Sequence, residues 1–215
     1  MKRMSLIALL PLLTACEKTE GLTQETGGDT GENSAVEDTQ ADPAVQIELV
    51  TGLGTVVIEL AETQAPITTA NFLQYVDEGF YDGDDGAGGT LFHRVIPGFM
   101  AQGGGLLESG VEKTTRSAIV NESDNGLENM RGTIAMARTN DPHSASSQFF
   151  INLKDNDFLN HTSESAAGWG YAVFGKVTEG LETIDEIAKV QTGNVGGHGD
   201  VPTEAVTIIK ATIEE

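Results

Sequence analysis

The most constraining stretch of this chain is residues 92–105, Phe-His-Arg-Val-Ile-Pro-Gly-Phe-Met-Ala-Gln-Gly-Gly-Gly. It sets one cation, Arg94, among Phe92, Val95, Ile96, Phe99 and Met100. A charge in so apolar a run is either paired or has work to do. Pro97-Gly98 reads as a tight turn between two short strands. Side chains alternate along a strand, so Phe92, Arg94 and Ile96 are expected on one face, and Met100 and Gln102 on another. If those faces meet, an arginine and an amide border an apolar patch. The three glycines then let a backbone or a ligand come close. Taken alone, Arg94 fits a strand arginine that snorkels or pairs with a carboxylate.

A second run points the same way. In Ser147–Leu153, Gln148 and Phe150 share one face, and Phe149 and Ile151 the other. Further strand-like runs cover residues 45–51, 55–61, 132–137, 171–177 and 205–213. Gly52-Leu53-Gly54 marks a hairpin between the first two. Pro66, followed by Thr69, Phe72, Leu73 and Val76, predicts a helix that Gly79 ends. Leu181, Ile184, Ile187 and Ala188 predict a second. Many antiparallel strands with two helices suggest a closed barrel, which removes sheet edges.

The N-terminus reads as an address. Lys2 and Arg3 precede an apolar run from Ser5 to Leu13, too short to span a bilayer and suited to a secretory signal. Leu13-Thr14-Ala15-Cys16 resembles the lipobox of bacterial lipoproteins, in which the cysteine is acylated. Residues 1–15 are therefore assigned as a lipoprotein signal. Residues 16–44 form the lipidated Cys16 and an acidic disordered tether, with eight acids against Lys18. As a coil it would span roughly 30 Å. Residues 45–215 are the folded domain. The expected location is extracytoplasmic, with the lipid in a bacterial membrane. Glu17 after the cysteine favours the outer membrane where the enteric sorting rule applies.

The net charge is −21, of which −16 remains on residues 45–215. That argues against nucleic acid and against anionic lipid as electrostatic partners. Cys16 is the single cysteine, so no intramolecular disulfide exists. His93, His143, His161 and His198 show no metal-ligand spacing. The acidic glycine loop 82–89 invites a calcium reading but lacks the EF-hand glycine and glutamate, and is read as a flexible surface loop. No metal and no cofactor is expected. No coiled-coil heptad is present, and a monomer is expected.

Residues Phe92 to Gly104, Met136-Ala137-Arg138, Ser147 to Ile151 and Tyr171 to Gly175 together resemble the cyclophilin-type peptidyl-prolyl isomerases, closest to their bacterial branch in Gly168–Tyr171 and Asn121-Glu122. The resemblance runs from about residue 45 to residue 213. It implies a mainly β fold, a closed eight-stranded antiparallel barrel capped by two α-helices. It implies that Arg94 is catalytic, that Phe99, Met100, Phe150 and Leu159 line a proline pocket, and that Gln102 and Gln148 flank the substrate. Ala137 and Arg138 match a segment whose backbone pairs with the peptide. Three positions depart from patterns in the family. Arg138 stands where many members have asparagine. Phe158 replaces a tryptophan of the eukaryotic type, which implies weaker cyclosporin binding, and Tyr171 replaces a histidine in the pocket.

The chemistry suits such residues. An X–Pro bond rotates over a barrier of about 18–20 kcal/mol, which amide resonance creates. The twisted state loses that resonance, and the prolyl nitrogen regains a lone pair to which a guanidinium can donate. No nucleophile, metal or general base is needed, only a seat for the ring and a donor aimed at the twisted form. Lowering the barrier by about 7 kcal/mol gives roughly a 10⁵-fold acceleration. The partners expected are proline-containing polypeptides, in exported proteins if the N-terminal reading holds. A binding module using the same pocket without turnover is the main rival. A purely structural lipoprotein would explain the tether but not the polar groups around the pocket.

Overall fold

The computed structural model describes residues 44–214; the signal, Cys16 and nearly all of the tether lie outside the described residues. Strands β1 (Gln46–Thr51) and β2 (Gly54–Leu60) form the predicted hairpin. The Thr51 hydroxyl donates to the Gly54 carbonyl at 2.9 Å and closes the turn. Alternation decides their faces: Ile47, Leu49, Val56, Ile58 and Leu60 point into the core.

Helix α1 (Pro66–Asp77) starts with proline, whose missing N–H would be unpaired there in any case. Ala65 supplies no side-chain cap. The cap comes from Glu122, whose carboxylate accepts from Ile67 N at 3.0 Å, Thr68 N at 2.7 Å and the Thr68 hydroxyl at 2.6 Å. A carboxylate at this end also meets the positive pole of the helix. Gly79, at φ +66, ends it: Gly79 N bonds Val76 O and Phe80 N bonds Tyr75 O, satisfying two of the last carbonyls.

The remaining elements are β3 (Thr90–Ile96), β4 (Met100–Leu107), β5 (Thr133–Met136), β6 (Phe149–Asn152), a 3-10 turn at Asp157–Leu159, β7 (Val173–Glu179), α2 (Leu181–Ile187), β8 (Thr192–Val195), β9 (His198–Pro202) and β10 (Ile208–Glu214). Eight strands form one antiparallel sheet in the order β10-β1-β2-β7-β5-β6-β4-β3. The sheet curls, but its ends do not join in a ladder. Edge strands β10 and β3 share no ladder; the segment just before β10 meets β3 through the bridge Leu91–Thr207 and the bond from Phe92 N to Val206 O at 2.9 Å. The ladder is thus open along one seam where the sequence suggested closure. A separate hairpin, β8–β9, lies outside the eight strands. Its glycine-rich, polar sequence carried no strand signal.

Both helices cover one face of the sheet. There Phe72 of α1 meets Tyr81, Phe149 and Phe174 at ring separations of 5.1, 5.6 and 5.2 Å. Ile184 and Ile187 of α2 join the same core. The opposite face carries a second, smaller apolar cluster built on Met100, Ala135, Phe150, Leu159 and Val173. In β6, Phe149 and Ile151 serve the first face and Phe150 the second, as period-2 alternation requires.

One face assignment is corrected. Phe92 and Arg94 do not share a face, because the β3–β4 register slips between Phe92↔Gly103 and Arg94↔Gln102. The extra residue on β3 makes a bulge, so Phe92 and Val95 both enter the main core and Arg94 faces away.

The loop at 82–89 lies at the surface as expected, but its looseness is corrected. It is clamped, not loose. The Lys113 ammonium, almost fully buried, donates to Phe80 O at 2.7 Å, Gly88 O at 2.8 Å and Asp85 Oδ1 at 3.0 Å. It also lies 4.6 Å from the Phe80 ring centroid. Burial pushes the Asp85 carboxyl up, but hydrogen bonds from Lys113 and Ala87 N and the lysine charge outweigh it, and the net shift is downward.

Lys113→Met removes the donor and leaves two carbonyls and a carboxylate without it. A loss of about 2–4 kcal/mol is expected by urea unfolding. Because the folded Asp85 carboxyl is depressed, its contribution is present above the ordinary carboxylate range and lost as pH falls through the folded value. The stability gap between parent and variant therefore narrows in acid. A gap that stays constant or widens would contradict the clamp.

Candidate active site

The face away from the helices carries the candidate residues. Strand register places them in one row: Arg94 opposite Gln102, Gln102 opposite Phe150, Phe150 opposite Ala135, and Ala135 opposite Val173. The row crosses β3, β4, β6, β5 and β7, so it passes from a cation through an amide to an aromatic and aliphatic floor. Directly opposed residues on adjacent strands have Cβ atoms about 5 Å apart. Met100, opposite Ile96, adds the next rung.

The floor is compact. Met100, Phe150, Leu159 and Val173 are buried, with Ile96, Phe99, Leu127, Ala137 and Tyr171 packed around them. Phe150 meets Tyr171 edge to face at 5.5 Å. Phe99 stacks on Phe158 at 5.7 Å, and Phe158 is 72% exposed. A large exposed ring at the margin of an apolar floor is available to a ligand.

Polar groups ring one side. Gln102 Nε2 donates to Gln148 Oε1 at 2.8 Å, and Gln148 Nε2 reaches Glu112 at 3.2 Å. Room for the Gln148 side chain comes from Gly105, where a Cβ would lie 2.4 Å from Gln148 Cγ. At Gly104 (φ +80) a Cβ would lie 2.8 Å from the Phe149 ring. These glycines therefore admit the protein's own side chains. The Ala137 N–H is engaged with Gln148 O at 2.9 Å. The Arg138 guanidinium lies 4.5 Å from the Tyr171 ring centroid and donates to Gly170 O and Thr139 O, both at 2.9 Å. Its charge is tied back to the loop walls.

Arg94 keeps a half-exposed side chain, with Nε 3.8 Å from Asp200 Oδ2. Pairing with a carboxylate was the plainer of the two readings of this residue, and the structure contains such a pair alongside the row. Next to Arg94, His93 occupies the β3 bulge. Burial pushes its pKa down to about 4, and the charges of His198 and Arg94 add to this against the acceptor oxygens of Leu91 and Gln148, which favour the protonated ring. His93 is therefore neutral near pH 7 and adds no like charge beside Arg94.

Three buried asparagines, absent from the sequence reading, support the floor from below. Asn156 Nδ2 donates to Phe99 O at 2.9 Å and to Asn152 Oδ1 at 2.8 Å. Asn152 Nδ2 donates to Asn129 Oδ1 at 3.2 Å. Asn129 Nδ2 donates to Leu159 O and Tyr171 O, each at 3.3 Å. The network thus fixes the backbones of Phe99, Leu159 and Tyr171 together. Asn152 interrupts the apolar run Phe-Phe-Ile-Asn-Leu, and that interruption was the available signal. Asp200 and Glu112 gave none, since their partners are far away along the chain.

Every candidate from Phe99 to Tyr171 in the sequence reading lies on this face or its margin; Cys16 lies outside the described residues. Among the described residues, no group of three His, Cys, Asp or Glu side chains could hold a metal ion.

Comparison with known proteins gives this geometry a family. The family model described as cyclophilin type peptidyl-prolyl cis-trans isomerase/CLD matches residues 45–213. A peptidyl-prolyl cis-trans isomerase of Streptomyces antibioticus is 56% identical over 167 residues, covering 78% of this chain and 97% of that protein. Peptidyl-prolyl cis-trans isomerase B of Escherichia coli K12 is 52% identical over 165 residues, covering 77% and 97%. Among solved structures, a Cryptosporidium parvum cyclophilin-type isomerase, crystallised in the presence of the dipeptide Ala-Pro, superposes with a TM-score of 0.63 at 26% identity. The match covers 79% of this chain and 99% of that one. The chain belongs to the cyclophilin-type peptidyl-prolyl cis-trans isomerases.

Proposed function

We propose that this isomerase uses Arg94 to stabilise the twisted X–Pro bond of exported polypeptides while the proline ring sits on the floor of Met100, Phe99, Phe150 and Leu159. The observation that carries it is the cross-strand row, which brings the guanidinium, Gln102 and Phe150 onto adjacent strands of one face. Gln102 and Gln148 hold each other, and their amides are placed to orient the peptide backbone. Tyr171 walls the floor beside Phe150, and Phe158 extends it at the margin. Ala137 and Arg138, which follow β5, supply backbone to an extended peptide.

The steps need only binding and one aimed donor. The ring is desolvated on the apolar floor, which strengthens any charge contact beside it. As the bond twists, the prolyl nitrogen becomes pyramidal and accepts from the guanidinium. Arginine suits this because it stays charged and offers several fixed donors. Interactions made only with the twisted form raise kcat, and those made equally with both planar forms affect binding alone.

The N-terminal part of the proposal is separate. Cys16 within Leu-Thr-Ala-Cys is the lipid-bearing residue, and the acidic stretch after it holds the domain off the membrane on the extracytoplasmic side. Several acyl chains would anchor firmly, at about 0.8 kcal/mol per buried methylene.

Two experiments test these parts independently. In a protease-coupled assay on a prolyl peptide, Arg94→Ala is expected to lose about 10²–10³-fold in kcat/KM, the scale of one aimed transition-state donor. Its thermal midpoint should stay near that of the parent, because Arg94 is half exposed. A variant as fast as the parent would remove Arg94 from the mechanism. In a bacterial host fed labelled palmitate, the full chain should take up label and sediment with membranes, and Cys16→Ala should do neither. Unlabelled parent protein would overturn the anchor and leave the isomerase assignment standing.

A further inference from the structure

The β8–β9 hairpin lies outside the main sheet, yet it reaches the site. Asp200 on β9 is, among the described residues, the one non-glycine position with positive φ, at +61°. Aspartate tolerates this left-handed conformation better than most residues, but it remains an uncommon choice. From there its carboxylate stands 3.8 Å from Arg94 Nε, with both side chains about half exposed. At this distance it is a counter-charge more than a tight hydrogen bond, so the guanidinium remains open to solvent and to a bound peptide.

The surroundings add to that carboxylate. Glu112 joins the Gln148 side of the site, and Asp157 precedes the exposed Phe158. Most other cations of the domain already have a counter-charge. Lys113, Arg116, Arg131, Lys176, Lys189 and Lys210 each pair with a carboxylate. Arg138 donates to two carbonyls and keeps its charge at the far margin of the floor, and Lys154 has Asp155 and Asp157 close in sequence. With −16 on residues 45–215, the domain as a whole repels anionic peptides and attracts cationic ones at long range. A guanidinium without a counter-charge would draw acidic side chains toward the floor. Asp200 cancels that attraction locally and leaves the negative field to choose.

We propose that Asp200 is a specificity-determining residue, which makes this isomerase prefer proline segments bearing a cationic side chain beside the proline over segments bearing an acidic one. The assignment rests on the isomerase reading of the Arg94 site. Asp200 touches the catalytic arginine and not the reacting bond, so its effect is on the choice of substrate charge. Electrostatic selection of this kind weakens as salt screens it.

The test measures kcat/KM on two peptides that differ only in lysine or glutamate flanking an Ala-Pro pair, at low and high salt. The parent should prefer the lysine peptide, and 0.5 M salt should reduce that preference. Asp200→Asn keeps the shape and the left-handed backbone but removes the charge, and should lower the lysine-to-glutamate ratio by about two- to fivefold. Asp200→Gly removes the charge while relaxing the backbone, and should lower it equally. A loss of stability cannot imitate this, because both peptides meet the same enzyme. A ratio unchanged in both variants, or a parent with no preference at low salt, would overturn the assignment. Turnover of neither peptide by the parent would overturn the isomerase reading and the assignment with it.

Discussion

Everything at the site depends on the register of two neighbouring strand pairs. The β3–β4 pairing opposes Arg94 to Gln102, and the β4–β6 pairing opposes Gln102 to Phe150. A slip of one residue in either would turn these side chains to the helix-covered face. The β3 bulge makes the arrangement possible. It lets Phe92 and Val95 both fill the main core while Arg94, between them, faces away. One strand thus packs the main core with one face and, in the proposed function, serves the chemistry with the other.

The sheet is therefore a wall between two apolar clusters of unlike purpose. The larger one is sealed by α1 and α2 and rich in aromatic contacts. The smaller one takes no residue from α1 or α2, and its margin includes the exposed Phe158. An apolar floor beside an arginine and two amides suits a ligand with an apolar ring and a polar backbone. Its shape is held from beneath by Asn129, Asn152 and Asn156, which tie the backbones of Phe99, Leu159 and Tyr171 into one unit. A seat that tells a twisted bond from a flat one has to be stiff, and buried, bonded amides provide that stiffness.

Much of this was legible in the amino-acid sequence. Both helices announced themselves through Pro66, Gly79 and the spacing of Phe72, Ile184 and Ile187. The split of Phe149 and Ile151 from Phe150 followed from alternation alone. What escaped had physical reasons. A bulge adds one residue without any compositional mark, so Phe92 was placed on the wrong face. The β8–β9 hairpin is too rich in glycine to show a strand pattern, which hid Asp200. Lys113 and Glu122 act on segments distant in sequence, and nothing local reveals such partners. The seam between β3 and β10 depends on how far the sheet curls, which strand patterns do not encode.

The most direct test of the central claim is a crystal structure of residues 45–215 with an Ala-Pro-containing peptide bound. The proline ring should rest on Met100, Phe150 and Leu159, with a guanidinium nitrogen of Arg94 near the prolyl nitrogen. A ring seated elsewhere on the domain, or an Arg94 side chain turned from the bound X–Pro bond, would contradict it.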